Sequence, residues 1–329
     1  MAKVMRFYET GGPEVLCVED VPTPPPGPDE ITIGVQAFGL NRAELMFLGG
    51  LHPLKPRLPS RLGMEAAGIV EAVGANVSEF ARGDAVSLMN TMKANEFGAW
   101  GEALTVPASW VVHSPPELTA GEVAGLWCAY ITAYGGLVDL ARLKPGDTVL
   151  ITAASSSVGI AAIQMVNMVG GISVAVTRHR NKAAQLGELG ARHVIVSDEE
   201  NIAQRVREIT GGKGANLVFD PVAGPALAEL AELTAPYGTL VIYGVLSPHP
   251  TPFPLAPVIQ NNLSIHGYAM YLDDDPERNK RAVAFIRDGI AGGYLRPVIA
   301  RRYGLDEIVD ACRYFDSFEH IGKVVITVD

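Results

Sequence analysis

The chain has 329 residues, which is enough for about two domains. Apolar residues make up 48% and charged residues 19%, so the chain can bury a large core and is not expected to be disordered. The formal net charge of −10 argues against a nucleic-acid partner, because phosphate backbones are bound by clusters of lysine and arginine. No apolar run approaches the roughly 20 residues of a membrane helix, and the N-terminus lacks a signal peptide's apolar core. We therefore expect a soluble, cytoplasmic protein with no membrane partner.

Short strand-like runs, separated by glycine and proline turns, fill the first ~115 residues. Val4–Tyr8, Ile31–Ala37 and Gly63–Val73 are examples, and a proline cluster spans Pro22–Pro28. Dense short strands of this kind predict a compact, barrel-like β unit.

The pattern changes at Thr119. Thr119-Ala-Gly-Glu122 has the spacing of a capping box, and a helix is predicted from there to about Ala141. Strand-like and helix-like segments then alternate. The predicted strands are Thr148–Thr152, Ile172–Thr177, His193–Val196, Leu217–Phe219, Thr239–Tyr243 and Leu263–His266, and the predicted helices are Val158–Val169, Lys182–Leu189, Ile202–Thr210 and Ala226–Leu233. Strands this apolar, separated by helices, predict a parallel sheet that is buried on both faces.

The last part of the chain changes pattern again. Pro276–Gly289 and Asp306–Phe318 read as amphipathic helices, and Val324–Val328 reads as a strand. The simplest architecture is a nucleotide-type α/β domain, residues 119–267, inserted between two pieces of a β-rich domain, residues 1–118 and 268–329.

A turn of small residues follows the first strand of the predicted parallel sheet. Such a turn lets the backbone approach a ligand, and the next helix offers free N–H groups and the positive end of its dipole to a diphosphate. Serines replace most glycines of the usual G-x-G-x-x-G, so a turn that only caps the helix is the alternative. The predicted diphosphate-binding residues are Ala154, Ser155, Ser156, Ser157, Val158 and Gly159.

The second predicted strand, Ile172–Thr177, runs into Arg178-His-Arg-Asn-Lys182. An acidic residue at this place would hold the ribose 2′-hydroxyl of NAD, but here three fixed positive charges suit a 2′-phosphate. We therefore predict NADPH as cofactor, held by Thr177, Arg178 and Lys182, with Arg178 nearest the strand end. A solvated basic turn is the alternative.

Further short motifs lie along nearly the whole chain. They are Gly11–Val15, Gly39–Ala43, Leu62–Val70, Gly83–Val86, Leu143–Asp147, Ala153–Gly159, Gly190–Ala191, Phe219–Asp220 and Gly322–Val325. With these motifs the chain resembles the medium-chain dehydrogenase/reductase superfamily, in its zinc-independent quinone oxidoreductase-like branch. The resemblance implies an α/β fold, with a Rossmann-type parallel sheet domain inserted into a β-rich GroES-like catalytic domain. It also implies an active site in the cleft between the domains, and a homodimer.

Zinc-dependent members of that superfamily hold a catalytic metal, and the resemblance places the ligand positions at Asn41, Met64 and Cys128. Only Cys128 has a side chain suited to zinc, and a lone thiolate does not make a tetrahedral site. The three cysteines, Cys17, Cys128 and Cys312, lie far apart and form no CxxC pair. We therefore expect no metal.

A reaction without a Lewis acid favours some acceptors over others. Hydride added to a quinone or an α,β-unsaturated carbonyl spreads charge into a phenolate or enolate, whereas a simple ketone concentrates it on one oxygen and needs a stronger acid. We therefore expect an NADPH-dependent reductase of small apolar quinones or enones. The alternatives are an NADP-dependent carbonyl reductase or alcohol dehydrogenase, and a non-catalytic dinucleotide-binding protein.

The resemblance also suggests individual residues. Asn41 is the candidate hydrogen-bond donor near the nicotinamide, with a turn-capping role as the alternative. Tyr134 borders the nicotinamide pocket and Tyr130 lies on the same helical face, although either is equally consistent with a packed aromatic. The further cofactor contacts implied are Tyr243 and Gly244 beside the ribose–nicotinamide half, and Lys323 near the nicotinamide. Ser197 stands where the family often has a tyrosine that binds the 2′-phosphate, and this departure counts against NADPH without overturning it.

Overall fold

The computed structural model describes residues 1–89, 95, 97–269 and 275–328. The chain forms two compact units. The first contains Met1–Cys128 and Pro297–Asp329, with the short piece that ends at Pro276, and the second contains Ala129–Met270 and Glu277–Arg296. The second unit is therefore inserted into the first, as the sequence predicts.

The strands, in chain order, are β1 (Ala2–Phe7), β2 (Cys17–Val21), β3 (Glu30–Gly39), β4 (Ser60–Arg61), β5 (Ala66–Val73), β6 (Ala85–Leu88), β7 (Ala103–Pro107), β8 (Val111–His113), β9 (Thr148–Ile151), β10 (Ile172–Thr177), β11 (His193–Val196), β12 (Ala215–Asp220), β13 (Thr234–Ile242), β14 (Ser264–Gly267), β15 (Ile299–Gly304) and β16 (Lys323–Thr327). The helices are α1 (Arg42–Leu48), α2 (Ala120–Val123), α3 (Trp127–Ala133), α4 (Ser157–Val169), α5 (Ala183–Glu188), α6 (Ile202–Thr210), α7 (Ala226–Glu232), α8 (Leu255–Asn261), α9 (Pro276–Ala291) and α10 (Ile308–Asp316).

The first unit is built on a largely antiparallel sheet in the order β15-β16-β3-β5-β6-β8, with β7 also paired to β3. A small sheet, β2-β1-β4, packs with it around one apolar core. Phe38 and Trp100 stack inside this core with ring centroids 5.7 Å apart. Both pieces of the first unit supply strands of the main sheet, since β15 and β16, from the C-terminal piece, continue it beyond β3.

The second unit is a six-stranded sheet in the order β11-β10-β9-β12-β13-β14, and every pairing in it is parallel. The order reverses direction between β9 and β12. In open parallel sheets, ligands bind at such a switch point, outside the carboxyl ends of the strands. The predicted α/β class and the parallel sheet are confirmed, and the sheet places the predicted diphosphate turn beside the switch point.

The segment predicted as one helix from Thr119 to Ala141 is broken. The structure has α2, then α3, then a π-helical stretch over Tyr134–Leu140. Val123, the last residue of α2, and Ala124, its C-cap, pack against Ala37, Ala67 and Val325 of the β-rich unit. This packing explains why the first unit extends to Cys128, beyond the predicted boundary at residue 118.

The other predicted boundary, at residue 268, also differs from the compact units. Most of α9 belongs to the second unit, where the Phe285 ring packs on Tyr134 with centroids 5.1 Å apart. Among the described residues, no helix has the length and apolarity to cross a membrane.

Candidate functional site

The turn between β9 and α4 is shaped for close approach. Ser156 caps α4, with its Oγ accepting from the Gly159 N–H at 3.0 Å. A Cβ on Gly159 would lie 2.6 Å from the Ala154 backbone, so only glycine lets the helix start this near the turn. Residues 155–158 are partly exposed. The serine turn therefore does cap the helix, and it still presents the N-terminus of a 13-residue helix to a ligand.

Lys182 reaches this turn from the end of β10. Its side chain is buried, with 6% of the residue exposed, and Nζ donates to Ser155 Oγ at 3.3 Å. An ammonium group that would otherwise be fully hydrated is thus held beside the predicted diphosphate site. Lys182 thus contacts the predicted diphosphate turn directly.

The other residues predicted near the 2′ position lie on two adjacent turns. Thr177 is buried, and its carbonyl oxygen accepts from the Ser197 N–H at 2.9 Å. The Arg178 carbonyl accepts from the Asp198 N–H at 3.2 Å, and the Arg178 side chain is exposed. The backbone pairing of β10 and β11 therefore continues into the turns that follow them.

Two carboxylates on the second turn, which the basic motif alone does not indicate, face the first turn. Asp198 Oδ2 lies 2.9 Å from His179 Nδ1, and Glu199 Oε2 accepts from Arg180 Nε at 2.8 Å. The signal was present as Asp198-Glu199-Glu200, directly after a predicted strand that neighbours the basic turn. The basic turn is therefore partly neutralised from across the sheet edge.

The switch point holds a buried polar group. Asp220, at the end of β12, accepts from Thr152 Oγ1 and from the Ala223 N–H, the latter at 2.6 Å. Burial raises the pKa of Asp220, and these hydrogen bonds act in the opposite direction. The carboxyl thus ties the end of β9 to the end of β12.

Tyr243 follows β13 and stacks on Phe219, with ring centroids 4.1 Å apart. Its hydroxyl is buried and makes no hydrogen bond to any described residue. The Ser156 side chain is the polar group near it. Burial raises the pKa of this phenol, and the Asp220 carboxylate adds to the rise. A buried hydroxyl without a partner is costly unless a ligand satisfies it. The orphaned Tyr243 hydroxyl and the glycine-dependent turn therefore fit a dinucleotide, and Gly244, whose Cβ would lie 2.8 Å from Pro221 O, keeps the neighbouring backbone close.

The first unit contains a buried ionic cluster. Lys323 Nζ donates to Glu65 Oε1 at 2.5 Å and to Asn41 Oδ1 at 2.6 Å, and Lys323 and Glu65 are 1% and 0% exposed. The Cys128 N–H donates to Glu65 Oε2 at 2.9 Å. Burial is the largest single influence and acts to lower the pKa of Lys323, but the surrounding acidic groups, Glu65 foremost, together outweigh it and the pKa is raised. The lysine is therefore a buried cation at neutral pH.

This cluster consumes the Asn41 side chain. Asn41 Oδ1 accepts from Lys323, and Nδ2 donates to Glu65 Oε1 at 3.1 Å and to the Gly39 carbonyl at 3.4 Å. A carboxamide has two N–H donors. Both are engaged, so in this structure Asn41 has no donor left for a substrate oxygen, and the predicted donor role remains a prediction that this arrangement disfavours.

Glu44 lies beside the cluster and is 1% exposed. Its oxygens accept from the Asn41 and Met64 N–H groups, each at 2.7 Å. Burial raises the pKa of Glu44 to about 8, against the opposing effects of Lys323 and these hydrogen bonds. Near neutral pH the folded protein therefore holds a proton that the unfolded chain, with a carboxyl pKa of 4.5, has lost.

This proton makes stability depend on pH. A pKa raised on folding gives stability that is present below about pH 4.5 and lost as pH rises through about 8. We expect the free energy of unfolding of the wild type, minus that of Glu44→Gln, to fall between about pH 5 and pH 8 in urea titrations and to level off above that range. Glu9→Gln, at an exposed carboxylate, is the control for the substitution itself. A difference that rises with pH would contradict the assignment.

The two predicted tyrosines differ in their surroundings. The Tyr130 hydroxyl is buried and donates to Gln164 Oε1 at 2.7 Å, and Gln164 in turn exchanges hydrogen bonds with the Arg296 backbone. Burial raises the pKa of Tyr130 further above its usual value. This arrangement favours a packing role. Tyr134 opens the π-helical stretch and packs on Phe285, and its catalytic role stays a prediction.

Of the three metal-ligand positions implied by the resemblance, Asn41 and Cys128 share a neighbour. Asn41 and Cys128 both contact Glu65, and burial raises the pKa of the Cys128 thiol. Across the described ranges, no group of three or more histidine, cysteine, aspartate or glutamate side chains is arranged to hold a metal ion. The expectation of a metal-free site stays a prediction. Likewise Lys323, predicted to approach a nicotinamide, here donates to Asn41 and Glu65.

Two protein-family models match the chain. Residues 27–116 match the alcohol dehydrogenase GroES-like domain, and residues 157–288 match the zinc-binding dehydrogenase domain. Among curated proteins, the chain is 33% identical over 320 residues to the synaptic vesicle membrane protein VAT-1 homolog of Rattus norvegicus, covering 92% of this chain and 78% of that protein. It is 31% identical to the quinone oxidoreductase of Sus scrofa, covering 94% of this chain and 93% of that protein.

Solved structures of related oxidoreductases superpose on nearly the whole chain. An Escherichia coli quinone oxidoreductase complexed with NADPH superposes with a TM-score of 0.91 and 27% identity, covering 99% of this chain and all of that one. An NAD-dependent alcohol dehydrogenase superposes with a TM-score of 0.92 and 28% identity, over 99% of this chain and all of that one. The likenesses span both compact units.

Proposed function

Since the chain belongs to the medium-chain dehydrogenase/reductase superfamily, in its quinone oxidoreductase-like branch, we propose that it is an NADPH-dependent reductase of quinones or α,β-unsaturated carbonyls that uses no catalytic metal. Membership makes it an NAD(P)-dependent oxidoreductase of small molecules. The proposal adds the phosphorylated cofactor, the acceptor class and the absence of a metal.

The observation that carries the cofactor choice is the Lys182 ammonium, 3.3 Å from Ser155 Oγ on the diphosphate turn. An NAD site usually places a carboxylate after the second strand of the sheet, to bind the 2′-hydroxyl. Here that position carries Arg178 and, four residues later, Lys182. A charge-assisted bond from Lys182 would favour the 2′-phosphate, and one solved neighbour is complexed with NADPH.

Three features of the second unit would hold the dinucleotide. The N-terminal N–H groups of α4 and the turn at Ser155 would face the diphosphate, Lys182 would neutralise the 2′-phosphate, and the Tyr243 hydroxyl would gain the partner it lacks among the described residues. When bound, a nicotinamide dinucleotide supplies hydride.

The ionic cluster supports an acceptor that needs little acid catalysis. Asn41 and Glu65 offer no acidic proton, and the buried Lys323 ammonium is bound to both of them, so its proton could pass to an alkoxide only by leaving the Glu65 carboxylate without its counter-ion. Burial also raises the pKa of Tyr130, whose hydroxyl is engaged by Gln164. An enolate or phenolate, whose charge is spread over several atoms, can take its proton from solvent. We therefore favour quinones and enones over simple ketones, and assign proton delivery to water.

A paired-substrate assay tests the acceptor class. We expect NADPH oxidation with an enone or quinone to be faster than with the saturated ketone of the same skeleton, measured as kcat/KM. The similarity to an NAD-dependent alcohol dehydrogenase makes a carbonyl reductase the rival. Preference for the ketone would overturn the acceptor class, and tight NADPH binding without turnover of any of these acceptors would indicate a non-catalytic dinucleotide-binding protein.

We also propose a homodimer formed through β14. This strand is the last in the six-stranded sheet, and exposed apolar side chains lie on the segment just before it: Phe253, Leu255 and Ile259 are 64%, 59% and 67% exposed. Pairing of two β14 edges would satisfy unpaired backbone groups and cover these side chains. A cytoplasmic location, and the absence of nucleic-acid and membrane partners, stay predictions.

Sedimentation equilibrium tests the dimer. We expect twice the chain mass of 34.9 kDa for the wild type, and a shift toward monomer for Ile259→Glu, because the new carboxylate would be buried at the interface. Leu51→Glu, at a side chain that is 75% exposed on the first unit, should leave the mass unchanged. A monomeric wild type would remove this part of the proposal.

A further inference from the structure

The two turns that follow β10 and β11 form one surface. Thr177 pairs with Val196 at the end of the strands, and the ladder continues with Ser197 N–H to Thr177 O and Asp198 N–H to Arg178 O. These two extra hydrogen bonds fix the turns side by side. Any group bound by the first turn is therefore within the electrostatic reach of the second.

The two turns carry opposite charges. The first contains Arg178, His179, Arg180 and Lys182, and the second contains Asp198, Glu199 and Glu200. Arg180 donates to Glu199 Oε2 through Nε at 2.8 Å and also through Nη2, while His179 pairs with Asp198 at 2.9 Å. The summed charge of the two turns is close to zero, although the basic segment alone suggests a strongly positive pocket.

The acidic side chains of the second turn should affect the binding of the phosphorylated cofactor and not that of NADH. The 2′-phosphate of NADPH brings close to two negative charges to the Lys182 side of the surface, and NADH brings none there. Asp198 and Glu199 would repel that phosphate, and they also occupy His179 and Arg180. Resting on the function proposed above, we propose that Glu199 and Asp198 are specificity-determining residues that lower the preference of this enzyme for NADPH over NADH.

Glu200 is a contrast within the same turn. Its Oε2 accepts from the Val196 N–H at 2.8 Å, and Oε1 lies 2.9 Å from Arg205 Nε. Glu200 therefore serves the end of β11 and the start of α6. We therefore assign the lowered preference for NADPH to Asp198 and Glu199, the two carboxylates that pair with the basic turn.

Cofactor titration of charge-neutralised variants tests the proposal. We expect Glu199→Gln and Asp198→Asn each to tighten NADPH binding about two- to fivefold, and the double variant about tenfold, with NADH changed less than twofold. The gain should shrink in high salt, because the groups are exposed. Dissociation constants are read from the fluorescence of the bound reduced nicotinamide.

Glu208→Gln is the matched control. It removes the same charge from another arginine–glutamate pair, with Arg205 Nη1 2.7 Å from Glu208 Oε2, in the last turns of α6. A general effect of net charge would appear in this variant too, and would overturn the proposal. So would unchanged or weaker NADPH binding by Glu199→Gln, because Glu199 would then be neutral or would orient Arg180 for the phosphate.

Lys182→Ala separates this inference from the proposed function. If Lys182→Ala loses NADPH preference while Glu199→Gln and Asp198→Asn gain none, the function stands and the inference fails. If the wild type binds neither dinucleotide, the function fails and the inference falls with it.

Discussion

Replacing Lys323 with methionine is expected to lower the free energy of unfolding of the first unit by about 3–5 kcal/mol. The variant keeps the unbranched side chain up to the position of Cε but leaves the Glu65 carboxylate, which is fully buried, without its counter-ion. It also removes the donor to Asn41 Oδ1. The loss should exceed that of any exposed ion pair in the protein.

Tryptophan fluorescence during urea denaturation measures this effect cleanly. All three tryptophans, Trp100, Trp110 and Trp127, belong to the first unit, so the signal reports on that unit. Arg313→Met is the matched control, because it breaks only exposed pairs, with Glu14 and Asp310, and should therefore cost far less than Lys323→Met. The double variant Lys323→Met, Glu65→Leu should recover part of the loss, since no unpaired charge remains. Equal costs for Lys323→Met and Arg313→Met would show that the cluster contributes little.

Replacing Lys182 with alanine is expected to weaken NADPH binding about 10- to 100-fold while changing NADH binding little. This loss of affinity corresponds to the roughly 1.5–3 kcal/mol that a hydrogen bond to a charged group contributes. The cause is the loss of the ammonium that lies beside Ser155 on the diphosphate turn. Titration with both cofactors, at one salt concentration, measures the ratio directly.

Two further variants make the result specific. Arg178→Ala should also weaken NADPH more than NADH, since Arg178 follows β10 directly. Lys213→Ala, at an exposed lysine of the same unit, should affect neither cofactor. If Lys182→Ala weakened both cofactors equally, Lys182 would be supporting the turn rather than recognising the phosphate.

Local pattern was enough to predict the second unit. The strand predicted over Ile172–Thr177 has the bounds of β10, and the helix predicted over Val158–Val169 differs from α4 by one residue. Both segments are apolar with a clear period, and both sit between turn residues. The serine turn between β9 and α4 is predictable for the same reason. So is the cap on α4, which the sequence offers as the alternative role of that turn.

Long-range contacts were not predictable in this way. Lys323 and Glu65 are 258 residues apart, and nothing near either residue in the sequence indicates the other. Asn41 was expected to be a donor because its partners could not be seen. The helix predicted to Ala141 fails for a related reason: Val123 and Ala124 find partners on the β-rich sheet, and tertiary packing outweighs the local period.

The position of β16 constrains how the protein is made. It lies between β15 and β3, so the main sheet of the first unit cannot close until residues 323–327 have been synthesised. At a translation rate of about 5–20 residues per second, Glu65 leaves the ribosome roughly 10–50 s before its lysine partner. The inserted unit, complete by residue 296, can fold during that interval. The nascent chain thus carries an unfinished β unit with an exposed edge, and this is the stage at which a chaperone would have the most to shield.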